Sequence, residues 1–79
     1  MFIKLITIDD VKTFVGFANA YPHDISIVSG HYRVDAKSIM GVFSISPNKP
    51  VELVIDGDLE SEEAKEFLDA IAGYIVAEE

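Results

Sequence analysis

Apolar and polar residues follow one another along this chain in two rhythms, and each change of rhythm marks an element. Phe2 to Ile8 is a run of β-branched and aromatic residues that predicts a first strand. Asp9 ends that run and is placed to cap a helix, with Asp10 adding negative charge to the first turn. Val11, Phe14, Val15 and Ala18 then recur at spacings of three and four, the mark of one buried helical stripe. Pro22 closes this helix, because it pushes Tyr21 out of the helical region. From Asp24 the period becomes two, with Ile25 and Ile27 on one side and Ser26 and Val28 on the other. Ser29-Gly30 predicts a tight turn, and His31 to Asp35 returns as a third strand with Tyr32 and Val34 alternating. A short helical pattern follows from Ser38. Beyond a loop at Ser46-Pro47-Asn48-Lys49-Pro50, Val51, Leu53 and Ile55 alternate with Glu52 and Val54. Asp56-Gly57-Asp58 predicts a turn. Asp58 or Ser61 caps a last helix whose stripe is Ala64, Phe67, Leu68, Ile71, Ala72 and Ile75.

The predicted order is strand, helix, strand, strand, short helix, strand, helix. Helices with a single apolar stripe each must lay it on a sheet, so the fold class is α+β. The expected architecture is an open-faced sandwich, a four-stranded antiparallel sheet with helices on one face. No internal repeat or long linker divides the 79 residues, and residues 1–79 read as one domain.

The most informative stretch is Asp35-Ala36-Lys37-Ser38-Ile39-Met40-Gly41-Val42-Phe43-Ser44-Ile45. Ser38 suits the head of a helix, where its hydroxyl accepts a bond from an unpaired amide of the first turn. Behind it stand two apolar sets. Val42 and Ile45 form one; Ile39, Met40 and Phe43 form the other. A helix this short needs one set for anchoring. The expectation is that Val42 and Ile45 anchor it, leaving Ile39, Met40 and Phe43 at the surface beside the serine. A methionine suits a surface that adapts to partners. Gly41 weakens the helix and allows a close approach.

Composition changes this picture in two respects. The net charge of −8 is uneven: Asp56, Asp58, Glu60, Glu62, Glu63, Glu66, Asp69, Glu78 and Glu79 face only Lys65 in the last third. The remaining chain balances at five acids against five bases. An acidic face repels phosphate backbones and argues against nucleic-acid binding, so a partner is expected on the neutral part. The chain has no cysteine, and no apolar run approaches the ~20 residues of a membrane span. With no leader pattern either, a cytoplasmic protein is expected. No glycine-rich phosphate loop or metal-ligand cluster is present in the sequence, and no cofactor or metal is expected.

Residues Ala36-Lys37-Ser38-Ile39-Met40-Gly41-Val42 resemble the regulatory-serine segment of Gram-positive HPr, the histidine-containing phosphocarrier family of the bacterial sugar phosphotransferase system. Phe14-Val15, Ile25-Ser26-Ile27 and Val51 to Gly57 agree more loosely, so the resemblance runs from about Phe14 to the C-terminus. Upstream it breaks. Members of the family carry Gly-Leu/Ile-His-Ala/Thr-Arg-Pro between the first strand and first helix, and that histidine accepts the phosphoryl group. Here Thr7-Ile8-Asp9-Asp10-Val11 passes from strand to helix with no histidine, arginine or proline. An acceptor needs an imidazole near helix-start amides, and two aspartates there repel a phosphoryl donor. His23 and His31 lie in loops and in no motif.

The resemblance therefore implies a histidine-less, non-enzymatic regulatory protein, similar to the catabolite-repression HPr-like regulators. Ser38 is the implied phosphorylation site, with Ile39, Met40 and Phe43 as contact patch and Lys37 beside it. The implied partners are an HPr kinase/phosphorylase and a catabolite-control transcription factor, with the chain a monomer or weak homodimer. The missing arginine makes the transcription-factor contact the less secure of the two. Two other readings stand beside this one: a phosphocarrier using His23 or His31, and a small oligomerisation or ligand-binding domain on the same fold.

Overall fold

The computed structural model describes residues 1–45 and 49–76. Ser46, Pro47 and Asn48 of the expected loop, and the terminal Glu78 and Glu79, lie outside the described residues. The elements are β1 (Phe2–Ile3), α1 (Ile8–Ala20), β2 (Ile25–Ser29), β3 (Tyr32–Asp35), α2 (Ile39–Ile45), β4 (Val51–Ile55), α3 (Glu62–Ala70), a 3-10 turn (Ala72–Tyr74) and β5 (Ile75–Val76). The strands form one sheet in the order β3-β2-β4-β1-β5, with every neighbouring pair antiparallel. Among the described residues, no helix is long and apolar enough to cross a membrane.

Alternation in β2 and β4 and the helical period of α1 arrive where the sequence placed them. Ile25, Ile27, Val51 and Leu53 face inward from the sheet and are buried. Val11, Phe14, Val15 and Ala18 of α1 share one buried core with Ala64 and Phe67 of α3 and with Ile71 at its end. The rings of Phe14 and Phe67 lie 6.1 Å apart, and Tyr21 stacks on Phe67 at 5.6 Å. Each fully buried side chain of this size contributes about 1.5–3 kcal/mol, so this aromatic group joins the two helices firmly. The turn between β2 and β3 is Gly30-His31, since Ser29 already pairs with Tyr32. Gly30 takes a φ of 60°, a conformation a side chain disfavours.

Three expectations need correction. The first strand ends at Ile3 instead of Ile8, because the amides of Ile6 and Thr7 turn to the Asp10 carboxylate (3.0 and 3.2 Å). The cap of α1 is Thr7, not Asp9: the Thr7 hydroxyl accepts from the Asp10 amide at 3.0 Å, completing a reciprocal capping box. Finally, among the described residues the sheet has five strands where four were expected. α3 stops at Ala70, and Ala72 and Ile75 leave its buried stripe. Gly73 weakens a continuing helix. The Tyr74 amide bonds the Ile71 carbonyl at 2.9 Å in a tighter turn, and Ile75–Val76 then pairs along β1. That pairing covers an edge that β1 alone leaves open.

Candidate functional site

The turn ahead of α2 is fastened on two sides. Ala36 is buried, and its amide bonds the Ile25 carbonyl of β2 at 2.9 Å. The Asp35 carboxylate accepts from the Lys37 amide (2.9 Å), and the Asp35 carbonyl accepts from the Ser38 amide (3.0 Å). From α1, Asn19 donates its amide group to the carbonyls of Val15 (2.9 Å) and Lys37 (3.1 Å). The Lys37 ammonium donates to the Tyr21 carbonyl at 2.8 Å, on the C-terminal end of α1 where a cation suits the helix dipole. Lys37 is thus half-buried, with its charge spent on α1 rather than held open beside Ser38.

Ser38 heads α2. Its hydroxyl accepts from the Gly41 amide (3.2 Å), its carbonyl accepts from Val42 (3.0 Å), and the residue is exposed. Val42 is fully buried and Ile45 packs half-buried on the core, which sets the roll of the helix. That roll leaves Ile39, Met40 and Phe43 41%, 75% and 48% exposed. Gly41 serves an approach within the molecule: a Cβ there lies 3.3 Å from the Val34 Cβ and 3.4 Å from the Ser38 Oγ. A larger residue presses on β3 and on the serine cap together.

The exposed trio does not stand alone. With Ile8, Val11 and Lys12 of α1 it lines a groove of about 200 Å³ in which Lys12 is the one charged side chain. Ile8, Val11 and Lys12 were missed in the sequence, although Ile8 stands three before Val11 on the α1 stripe.

At the start of α1 the Asp10 carboxylate already takes the amides of Ile6 and Thr7. An incoming anion meets the Asp10 carboxylate there, which repels it. The two histidines sit elsewhere. His31 is exposed in the β2–β3 turn. His23 is exposed after α1, edge-on to Tyr21 at 5.6 Å and against Gly57. A Cβ on Gly57, whose φ is 96°, lies 2.8 Å from the His23 ring and 2.9 Å from the Tyr21 oxygen. The Tyr21 hydroxyl donates to the Asp56 carbonyl at 2.6 Å. Burial pushes its pKa above the ordinary 10.0, and Glu63, Asp56 and Asp58 push it the same way.

A family model described as the PTS HPr component phosphorylation site matches residues 10–76. No curated protein sequence matches the chain significantly. Among solved structures, HPr-C-His from Thermoanaerobacter tengcongensis is 29% identical with a TM-score of 0.70, over 92% of this chain and 90% of that one. A phosphocarrier protein HPr from Bacillus anthracis is 28% identical with a TM-score of 0.68, over 96% and 94%. The Bacillus subtilis catabolite repression containing protein Crh, an intertwined swapped dimer, shares the fold at 23% identity with a TM-score of 0.66, over 95% and 88%.

Proposed function

As the chain belongs to the HPr family of the phosphotransferase system, we propose that it acts there as a regulatory docking protein, not as a histidine phosphocarrier. The reading rests on one observation: Ser38, an exposed residue whose hydroxyl accepts from the Gly41 amide, stands at the head of α2 beside the exposed Ile39, Met40 and Phe43. An HPr kinase/phosphorylase transfers the γ-phosphoryl group of ATP to the Ser38 Oγ, which loses its proton as ADP departs. The product adds roughly −1.5 to −2 charges at a helix start, where the first-turn amides favour an anion. The patch then changes from apolar to apolar-plus-anion, a combination an arginine-bearing partner distinguishes. By family, that partner is a catabolite-control transcription factor. Lys37 contributes by holding the turn in place, since its ammonium is engaged at Tyr21.

The carrier role has weaker support. The Asp10 carboxylate stands at the α1 start, bonded to the Ile6 and Thr7 amides, and neither His23 nor His31 precedes a helix. Incubation with HPr kinase and ATP, followed by mass spectrometry of peptides from wild type and Ser38→Ala, tests the proposal. Phosphate on Ser38 of the wild type is expected. Its absence, with the protein shown folded, contradicts the proposal.

A further inference from the structure

The far flank of α1, turned towards α3, carries a second crevice of different make. Phe17, Ala20 and Tyr21 form one wall. Glu63, Glu66, Phe67 and Ala70 form the other, spaced at three and four along one face of α3. Residues 17, 20 and 21 project roughly opposite to residues 8, 11 and 12, so this crevice shares no wall with the groove at Ser38.

Its three properties select one kind of occupant. The volume is about 230 Å³, below the ~300 Å³ at which pockets begin to hold small molecules. It therefore suits a single side chain. The floor is aromatic, made by the buried Tyr21 and Phe67, and Phe17 at the rim keeps 38% of its surface in solvent outside the core. The rim is anionic: Glu63 and Glu66 are exposed, and the surrounding stretch from Asp56 to Asp69 carries Lys65 as its one cation. Burial is the first cause of the raised pKa of Tyr21, and Glu63 of the rim, with Asp56 and Asp58 outside the crevice, pushes it the same way.

We propose that this crevice receives an arginine side chain from a protein partner, with the guanidinium against Phe17 and paired with Glu63 and Glu66. A guanidinium is planar, sheds water more readily than an ammonium, and both stacks on rings and forks onto carboxylates. The wider acidic face draws basic protein surfaces towards it and turns acidic ones away. The site is independent of Ser38 and of its phosphorylation.

Amide NMR titrations of the full chain with three blocked peptides, Ala-Arg-Ala, Ala-Lys-Ala and Ala-citrulline-Ala, test this. The arginine peptide is expected to shift amides in residues 17–21 and 63–70, more strongly than the lysine peptide, with no matching response to citrulline. Glu63→Gln with Glu66→Gln weakens that response roughly fivefold, the scale of losing exposed ion pairs. Glu60→Gln with Glu62→Gln removes the same charge outside the crevice and leaves the response unchanged, as does Ser38→Ala. An equal response to citrulline or to lysine overturns the proposal. So does equal weakening by both glutamine pairs, or the absence of shifts in those residues.

Discussion

Helix α1 separates two grooves that share a backbone and differ in everything else. Towards α2 the walls are Ile8, Val11, Ile39, Met40 and Phe43, with Lys12 at the edge. Towards α3 the floor is aromatic and the rim is acidic. The difference follows from how each neighbouring helix is anchored. α2 is short and spends Val42 and Ile45 on the core, which leaves its other apolar residues outside. α3 sends its apolar residues inward at Ala64 and Phe67, leaves Glu62 and Glu63 in its first turn, where its dipole favours them, and turns Glu66 outward one turn on. Apart from Val11, one groove is thus built from side chains the core does not need. The other is floored by side chains it cannot lose.

That contrast can be broken by mutation. The largest effect is expected from Phe67→Ala, which empties the floor between α1 and α3 and lowers stability by about 3–5 kcal/mol in urea unfolding. Phe17→Ala, on the rim of the same crevice, changes stability little and removes the response to the arginine peptide. A comparable stability loss for the two variants contradicts the division between floor and rim.

Tyr21→Phe comes next. It removes the 2.6 Å bond to the Asp56 carbonyl, on an exposed residue that water can reach, and costs about 0.5–1.5 kcal/mol. It also sharpens the electrostatic half of the comparison. Because the folded state holds the Tyr21 proton above the ordinary value of 10.0, its contribution is complete below that pH and is lost as pH rises past it. Wild type therefore loses stability on the alkaline side more steeply than Tyr21→Phe, read as unfolding midpoints at rising pH. Parallel curves contradict the assignment.

The smallest stability effect belongs to the neutral groove. Met40→Ala, at the most exposed of the contact residues, shifts stability by less than about 0.5 kcal/mol while weakening docking of the Ser38 kinase. Calorimetry and kinase saturation curves separate the two. A large stability loss with unchanged kinase affinity reverses their assignment.

Much of this was readable in the residues. Ser38 was legible as a cap because cap chemistry is local, whereas two apolar sets competed to anchor α2 and the burial of Val42 chose between them. The start of α1 was harder. Thr7, Asp9 and Asp10 are all capping types, and only the reciprocal bonds between Thr7 and Asp10 choose among them. Ile75 fits both the period of α3 and a strand, and what decides is an edge of β1 far away in the chain. The engagement of Lys37 with Tyr21 spans 16 residues and leaves no local trace. The α3 crevice was hidden for a similar reason, since Phe17 lies off the α1 stripe and meets Glu63 and Glu66 only once both helices are packed.

The central claim is that phosphate enters this protein at the serine of the neutral groove and not at a histidine. Phosphorus NMR of the protein tests it most directly, after incubation with HPr kinase and ATP in one sample and with phosphoenolpyruvate and the first enzyme of the phosphotransferase system in another. The predicted result is an acid-stable phosphoserine signal in the first sample, absent from Ser38→Ala, and no protein-bound phosphate in the second. An acid-labile phosphohistidine signal in the second sample, or a first sample without phosphoserine, contradicts it.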